Sequence, residues 1–139
     1  MRIHGACHCG NIAFDLDWPE GVPVAQRACG CTFCQKHGAT WTANPQAALH
    51  VHIVDGSRVS RHRFGTQTAD FQVCASCGVV PVCTSEIDGR LYAVVNTRTF
   101  DNGGALSDPV SVDFDGEAED ARLARRTKNW IGNVAFVGM

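Results

Sequence analysis

Seven cysteines fall into three short groups: Cys7-His8-Cys9-Gly10, Cys29-Gly30-Cys31-Thr32-Phe33-Cys34 and Cys74-Ala75-Ser76-Cys77-Gly78. Thiolates spaced two or three residues apart converge readily on one soft metal ion, and zinc is the expected occupant. Cys74 and Cys77, followed by glycine, read as a knuckle that supplies half of a closed site. Cys7 and Cys9 form a tighter pair that could supply the other half. Cys29, Cys31 and Cys34 grip an ion locally but bring no fourth ligand of their own. A structural zinc takes four protein ligands, whereas a catalytic one takes three and leaves a position for water or substrate. Four plus three is therefore the most economical division. Cys83 stands six residues after Cys77 and could complete the second set. Its neighbours Val79-Val80-Pro81-Val82 favour a buried thiol instead.

Around the triplet, Arg27, Lys36 and His37 are placed to offset the negative charge of clustered thiolates, with plain surface roles as close competitors. Arg58, Arg61, His62 and Arg63 form the densest basic stretch of the first half. On a strand, Arg61 and Arg63 share one face and His62 and Phe64 the other. Substrate contact there is weighed below a solvated strand face. Arg122, Arg125 and Arg126 read as solvated surface. His8 should point away from a metal held by its two neighbours. His50 and His52 share a strand face without a third ligand, so they read as a partly exposed pair. Trp18, Trp41 and Trp130 read as core or pocket walls, and Trp41, seven residues past Cys34, is the one closest to the chemistry.

The elements that must position these groups are mostly strands. Ile12, Phe14 and Leu16 alternate with Ala13, Asp15 and Asp17, the period of a half-buried strand. Further strands are expected at Leu49–Val54, Val59–Phe64, Phe71–Cys74, Leu91–Asn96 and Val110–Phe114, with Gly, Asp and Asn turns between them. Helix is sparse: one turn from Cys31 through His37, stopped by Gly38, and a charged turn or two within Glu117–Lys128. The apolar residues Trp130, Ile131, Val134, Phe136 and Val137 must dock somewhere, on the core or on a partner.

Composition sets the limits. The 139 residues suit one domain, and 45% hydrophobic content supplies a core. Twelve basic against fourteen acidic residues, net −2, lack the basic footprint of a nucleic-acid binder. No secretory leader and no membrane-length apolar run is found, so a cytoplasmic protein with reduced thiols is expected. Metal is favoured over a disulfide framework on that ground and on the spacing.

The ordered set Gly5-Ala6-Cys7-His8-Cys9-Gly10, Cys29-Gly30-Cys31-Thr32-Phe33-Cys34 and Cys74-Ala75-Ser76-Cys77-Gly78 resembles the glutathione-dependent formaldehyde-activating enzyme family. That resemblance implies a mainly β, zinc-binding β-tent of short antiparallel strands, formed by residues 1–139 as a single domain. It implies two zinc ions per chain, a structural one on Cys7, Cys9, Cys74 and Cys77 and a catalytic one on Cys29, Cys31 and Cys34. It implies a carbon–sulfur lyase that joins glutathione, or a similar thiol, to formaldehyde or another small aldehyde. A non-catalytic zinc-binding interaction module of the same fold is the alternative. Gly30 stands where relatives often carry a polar residue, commonly histidine, and Gln35 where a basic one is common. The resemblance thus reaches the metal site more firmly than the substrate. Oligomeric state is not readable from the sequence.

Overall fold

The computed structural model describes residues 1–103 and 106–138. Among them, eleven short strands form two sheets. The first sheet runs in the order β1 (Arg2–Ala6), β2 (Ile12–Asp17), β5 (Ala48–Ile53) and β11 (Asn133–Val137). Its inner face is the alternation read from the sequence: Ile12, Phe14 and Leu16 of β2 and Leu49, Val51 and Ile53 of β5 are all buried. Gly5 of β1 faces Phe14 so closely that a Cβ there would clash with the ring, so only glycine fits.

The second sheet carries the remaining strands in the order β10 (Val110–Val112), β3 (Arg27–Cys29), β4 (Trp41–Thr42), β9 (Arg90–Asn96), β8 (Val82–Ile87), β7 (Asp70–Cys74) and β6 (Val59–His62). Pairing is antiparallel except for β10 on β3 and β11 on β5, which are parallel. A parallel pair needs a long connection, and both of these join strands far apart in the chain. β8 escaped sequence reading because Val82, Cys83, Thr84 and Ser85 are all buried, which removes the alternation that marks a half-exposed strand.

Two α-helices are found among the described residues. The short α1 (Thr32–His37) begins at Cys31 and ends at Gly38, whose left-handed backbone returns N–H groups to the carbonyls of Cys34 and Gln35. The longer α2 (Glu119–Asn129) has acids in its first turn and Arg126 and Lys128 in its last, complementing the helix dipole. After α2 the chain docks on its own core: Trp130 and Ile131 are buried, and Ile131 exchanges two 3.0 Å backbone hydrogen bonds with Ala93. No helix among the described residues is long and apolar enough to cross a membrane.

Candidate metal centres

All eight cysteines are free thiols, and the fold gathers seven of them into two groups. Cys7, Cys9, Cys74 and Cys77 form one, with all four sulfurs within 4.8 Å of one another. Zn–S bonds of about 2.3 Å in a tetrahedron put sulfurs ~3.8 Å apart. Cys7 to Cys9 is 3.8 Å and Cys9 to Cys74 is 3.5 Å, so this donor set fits such an ion. Gly10 and Gly78 follow the two pairs with φ of 86° and 80°. That left-handed backbone suits glycine and tightens each knuckle. Backbone N–H groups of Ile12 and Cys77 donate to Cys7 and Cys74 sulfurs at 3.3 and 3.4 Å. The Arg58 guanidinium lies 3.9 Å from Cys9 Sγ and answers the charge of four thiolates.

Cys29, Cys31 and Cys34 form the other group, and among the described residues no further Cys, His, Asp or Glu joins it. Cys29 ends β3, while Cys31 caps α1 and Cys34 occupies its first turn. The Cys34 N–H donates to Cys31 Sγ at 3.4 Å, so sulfur takes the place of the usual capping oxygen. Trp41, paired across β4 to Arg27, donates its indole N–H to Cys34 Sγ at 3.3 Å. Beneath this corner, Gln26 Oε1 accepts from Thr40 and Thr97 hydroxyls at 3.2 and 2.6 Å and ties β3 to the strands beside it.

In the metal-free chain the sulfurs of each group share protons unequally. The hydrogen bond from Cys34 pulls Cys29 down to about 6, and the same contact, with burial, pushes Cys34 far up. Burial raises Cys7 to about 12. Cys77 is also subject to burial, but backbone N–H groups of Val79 and Cys9 lower it to about 6. A divalent ion deprotonates its coordinating thiols outright and so removes this inequality.

Two cavities meet at the triad. One, of about 390 Å³, is lined by all three of its cysteines together with Phe64, Asp115, Glu117 and Arg122. The other, of about 90 Å³, reaches Cys29 and Cys34 and is walled by Trp41, Phe71, Phe114 and Trp130. Phe33 lines neither cavity but packs on Phe71, which lines both, its ring centroid 4.5 Å from both His37 and Phe71 and 4.9 Å from His62.

A model of the family described as glutathione-dependent formaldehyde-activating enzyme matches residues 2–114. The chain belongs to that family. A crystal structure of a Rhodobacter sphaeroides protein is similar at 23% identity and a TM-score of 0.50, over 73% of this chain and 90% of that one. At that identity the likeness speaks for the fold alone. Within the family frame, both cysteine groups are sites that could hold zinc.

The surrounding residues divide less neatly. Cys83 is 2% exposed and joins neither group, as its apolar neighbours implied, yet it lines the smaller cavity. His8 is exposed and outside both groups. His52 is not merely paired with His50: its Nε2 lies 3.1 Å from Asp15, which also holds His4. Of the basic stretch, Arg58 serves the four-cysteine site and Arg63 pairs with Asp70 at 3.1 Å, while His62 and Phe64 turn toward Phe33.

The reading of Arg122, Arg125 and Arg126 as solvated surface is overturned. Arg126 is 6% exposed and donates to Thr68 and Ser85. Arg125 lies 3.6 Å over the Phe114 ring and pairs with Glu117 at 3.1 Å, and Arg122 donates to the Phe114 carbonyl at 2.8 Å. A cluster of charge in a polar helix carries no local sign that one face is buried. The signal available was Trp130 and Ile131 directly after it, which had to dock and so bring the helix down with them. Phe71 and Phe114 were also missed as cavity walls, since aromatic residues in strands read first as core.

Proposed function

We propose that the protein is a zinc-dependent carbon–sulfur lyase of the formaldehyde-activating type, adding a small thiol such as glutathione to a small aldehyde at Cys29, Cys31 and Cys34. One observation carries this reading: the triad has three sulfurs and, among the described residues, no fourth protein ligand, and two cavities converge on it. Zinc held there supplies ionisation of an incoming thiol near neutral pH.

The chain does the rest. The N–H of Cys34 and the indole of Trp41 fix the orientation of Cys31 and Cys34 sulfurs and leave the triad edge facing the cavities. The larger cavity is the one with room for a peptide-sized thiol. The smaller suits a compact electrophile, held against the Cys29–Cys34 edge in the orientation a bimolecular addition needs. Phe71 lines both cavities and, with Phe33 and Phe64 packed on it, gives that edge an apolar flank. The four-cysteine group, by contrast, has a complete ligand set and is assigned a structural role.

The test uses the full chain with cobalt in place of zinc. Added glutathione is expected to shift the visible absorption of the triad ion, and Cys31→Ser is expected to abolish that response. An unchanged spectrum at saturating thiol overturns the enzymatic reading and leaves a non-catalytic metal-binding module.

A further inference from the structure

The two cavities flanking the triad differ in charge as well as size. Asp115 and Glu117 line the larger one, whereas no acidic side chain lines the smaller. Two guanidiniums reach the smaller, those of Arg27 and Arg125. Arg125 is neutralised by Glu117 and stacked on Phe114. Arg27 is half-buried and has no hydrogen-bond or ion-pair partner among the described residues. A cation drawn out of water toward an apolar wall is costly unless an anion meets it.

Register places that anion relative to the chemistry. Arg27 and Cys29 stand two residues apart on β3, so their side chains leave the same face with Cα atoms ~6.6 Å apart. Volume limits the ligand. An apolar cavity of ~150 Å³ holds the six carbons of benzene, so this one, of about 90 Å³, takes about four heavy atoms, the scale of a two- or three-carbon acid. Arg125 and Trp130, which close the chamber, lie beyond the segment that matches the family. The rest of the lining lies within that segment, so the C-terminal part completes a chamber that the matched strands begin.

We propose that the electrophile is a short aldehyde bearing a carboxylate, which pairs with Arg27 while the carbonyl carbon faces the Cys29–Cys34 edge. This rests on the thiol–aldehyde reading above. The addition balances without a redox partner. The thiol gives up its proton and its sulfur forms a bond to the carbonyl carbon. The C=O π pair moves to oxygen, and that oxygen takes the proton to give a hydroxy-thioether carboxylate. A neutral aldehyde such as formaldehyde leaves Arg27 with only the diffuse charge of the triad and no carboxylate to pair with.

Binding is measured first, without thiol, on the zinc-loaded full chain. Trp41 and Trp130 wall the chamber, so their fluorescence reports occupancy. Propionate is expected to bind saturably, with propionamide ~10-fold weaker or more, as loss of one charge-assisted pair implies. Arg27→Gln should lose the same factor and Arg27→Lys should keep part of the affinity. Equal binding of propionate and propionamide by the wild type overturns the anion subsite, whether or not the variants fold. With thiol present, glyoxylate should then exceed formaldehyde in kcat/KM, and Arg27→Gln should erase that preference. A wild-type preference for formaldehyde overturns the substrate assignment. Failure of thiol to enter the cobalt site is a separate result, and it strikes the enzymatic reading instead.

Discussion

Cys83 is the residue on which the division of the cysteines turns. It faces Phe71 and Val94 across the sheet, and burial pushes its thiol well above the ordinary cysteine range. A thiol that resists ionisation and stands outside the sulfur triplet is a core side chain that happens to floor a chamber. Cys83→Val should leave the metal content equal to that of the wild type. Cys83→Ser should keep the metals but lose about 1–3 kcal/mol in urea denaturation, because its hydroxyl finds no partner in an apolar site. Loss of one metal in Cys83→Val would make it the fourth ligand and close the triad.

At the scale of elements, α2 shows how charge hides burial. Its Arg126 extends under the sheet to Thr68 and Ser85 and lies 5.0 Å from the Trp130 ring, with burial lowering its pKa to about 10. Replacing it with Ala strands a packed, hydrogen-bonded position and should cost about 2 kcal/mol or more by chemical denaturation. Arg126→Lys should recover little, since one ammonium cannot copy the guanidinium fork. A variant as stable as the wild type would make α2 a loosely attached surface helix. The same element marks where sequence reading stopped. β2 and β5 were legible because one face is wet, and α1 because Cys31 and Gly38 bracket it. β8, dry on both faces, was not. The metal ligands were legible because short spacing brings thiols together locally. Of the chamber walls, Arg27, Trp41 and Trp130 were singled out in the sequence, whereas Phe71, Phe114 and Arg125 were not, because they reach the triad only through β7, the segment after β10, and α2.

Across the whole molecule the two cysteine groups stand at mechanically different places. Cys7 and Cys9 lie in the turn between β1 and β2 of the first sheet, while Cys74 ends β7 of the second and Cys77 follows it. An ion shared by them would tie sheet to sheet across 65 residues of chain from Cys9 to Cys74. Beside it, buried Asn11 holds the connection from β5 of the first sheet to β6 of the second, with hydrogen bonds to the Asp55 N–H and carbonyl at 2.8 and 3.1 Å. The triad spans only β3 and α1, neighbours in sequence that other contacts already hold. Metal binding at a site absent from the unfolded chain adds its free energy to folding, most effectively where it closes a long loop. Cys77→Ser should therefore lose metal and fold together, seen as collapse of the far-ultraviolet spectrum and a low urea midpoint. Cys31→Ser should lose one metal ion while its spectrum and midpoint stay near those of the wild type. Chelator titration should follow the same order, with the three-sulfur ion, the one with fewer protein ligands, leaving first and unfolding beginning only as the second departs. If both substitutions unfold the chain alike, the triad is a second staple rather than a site kept free for chemistry.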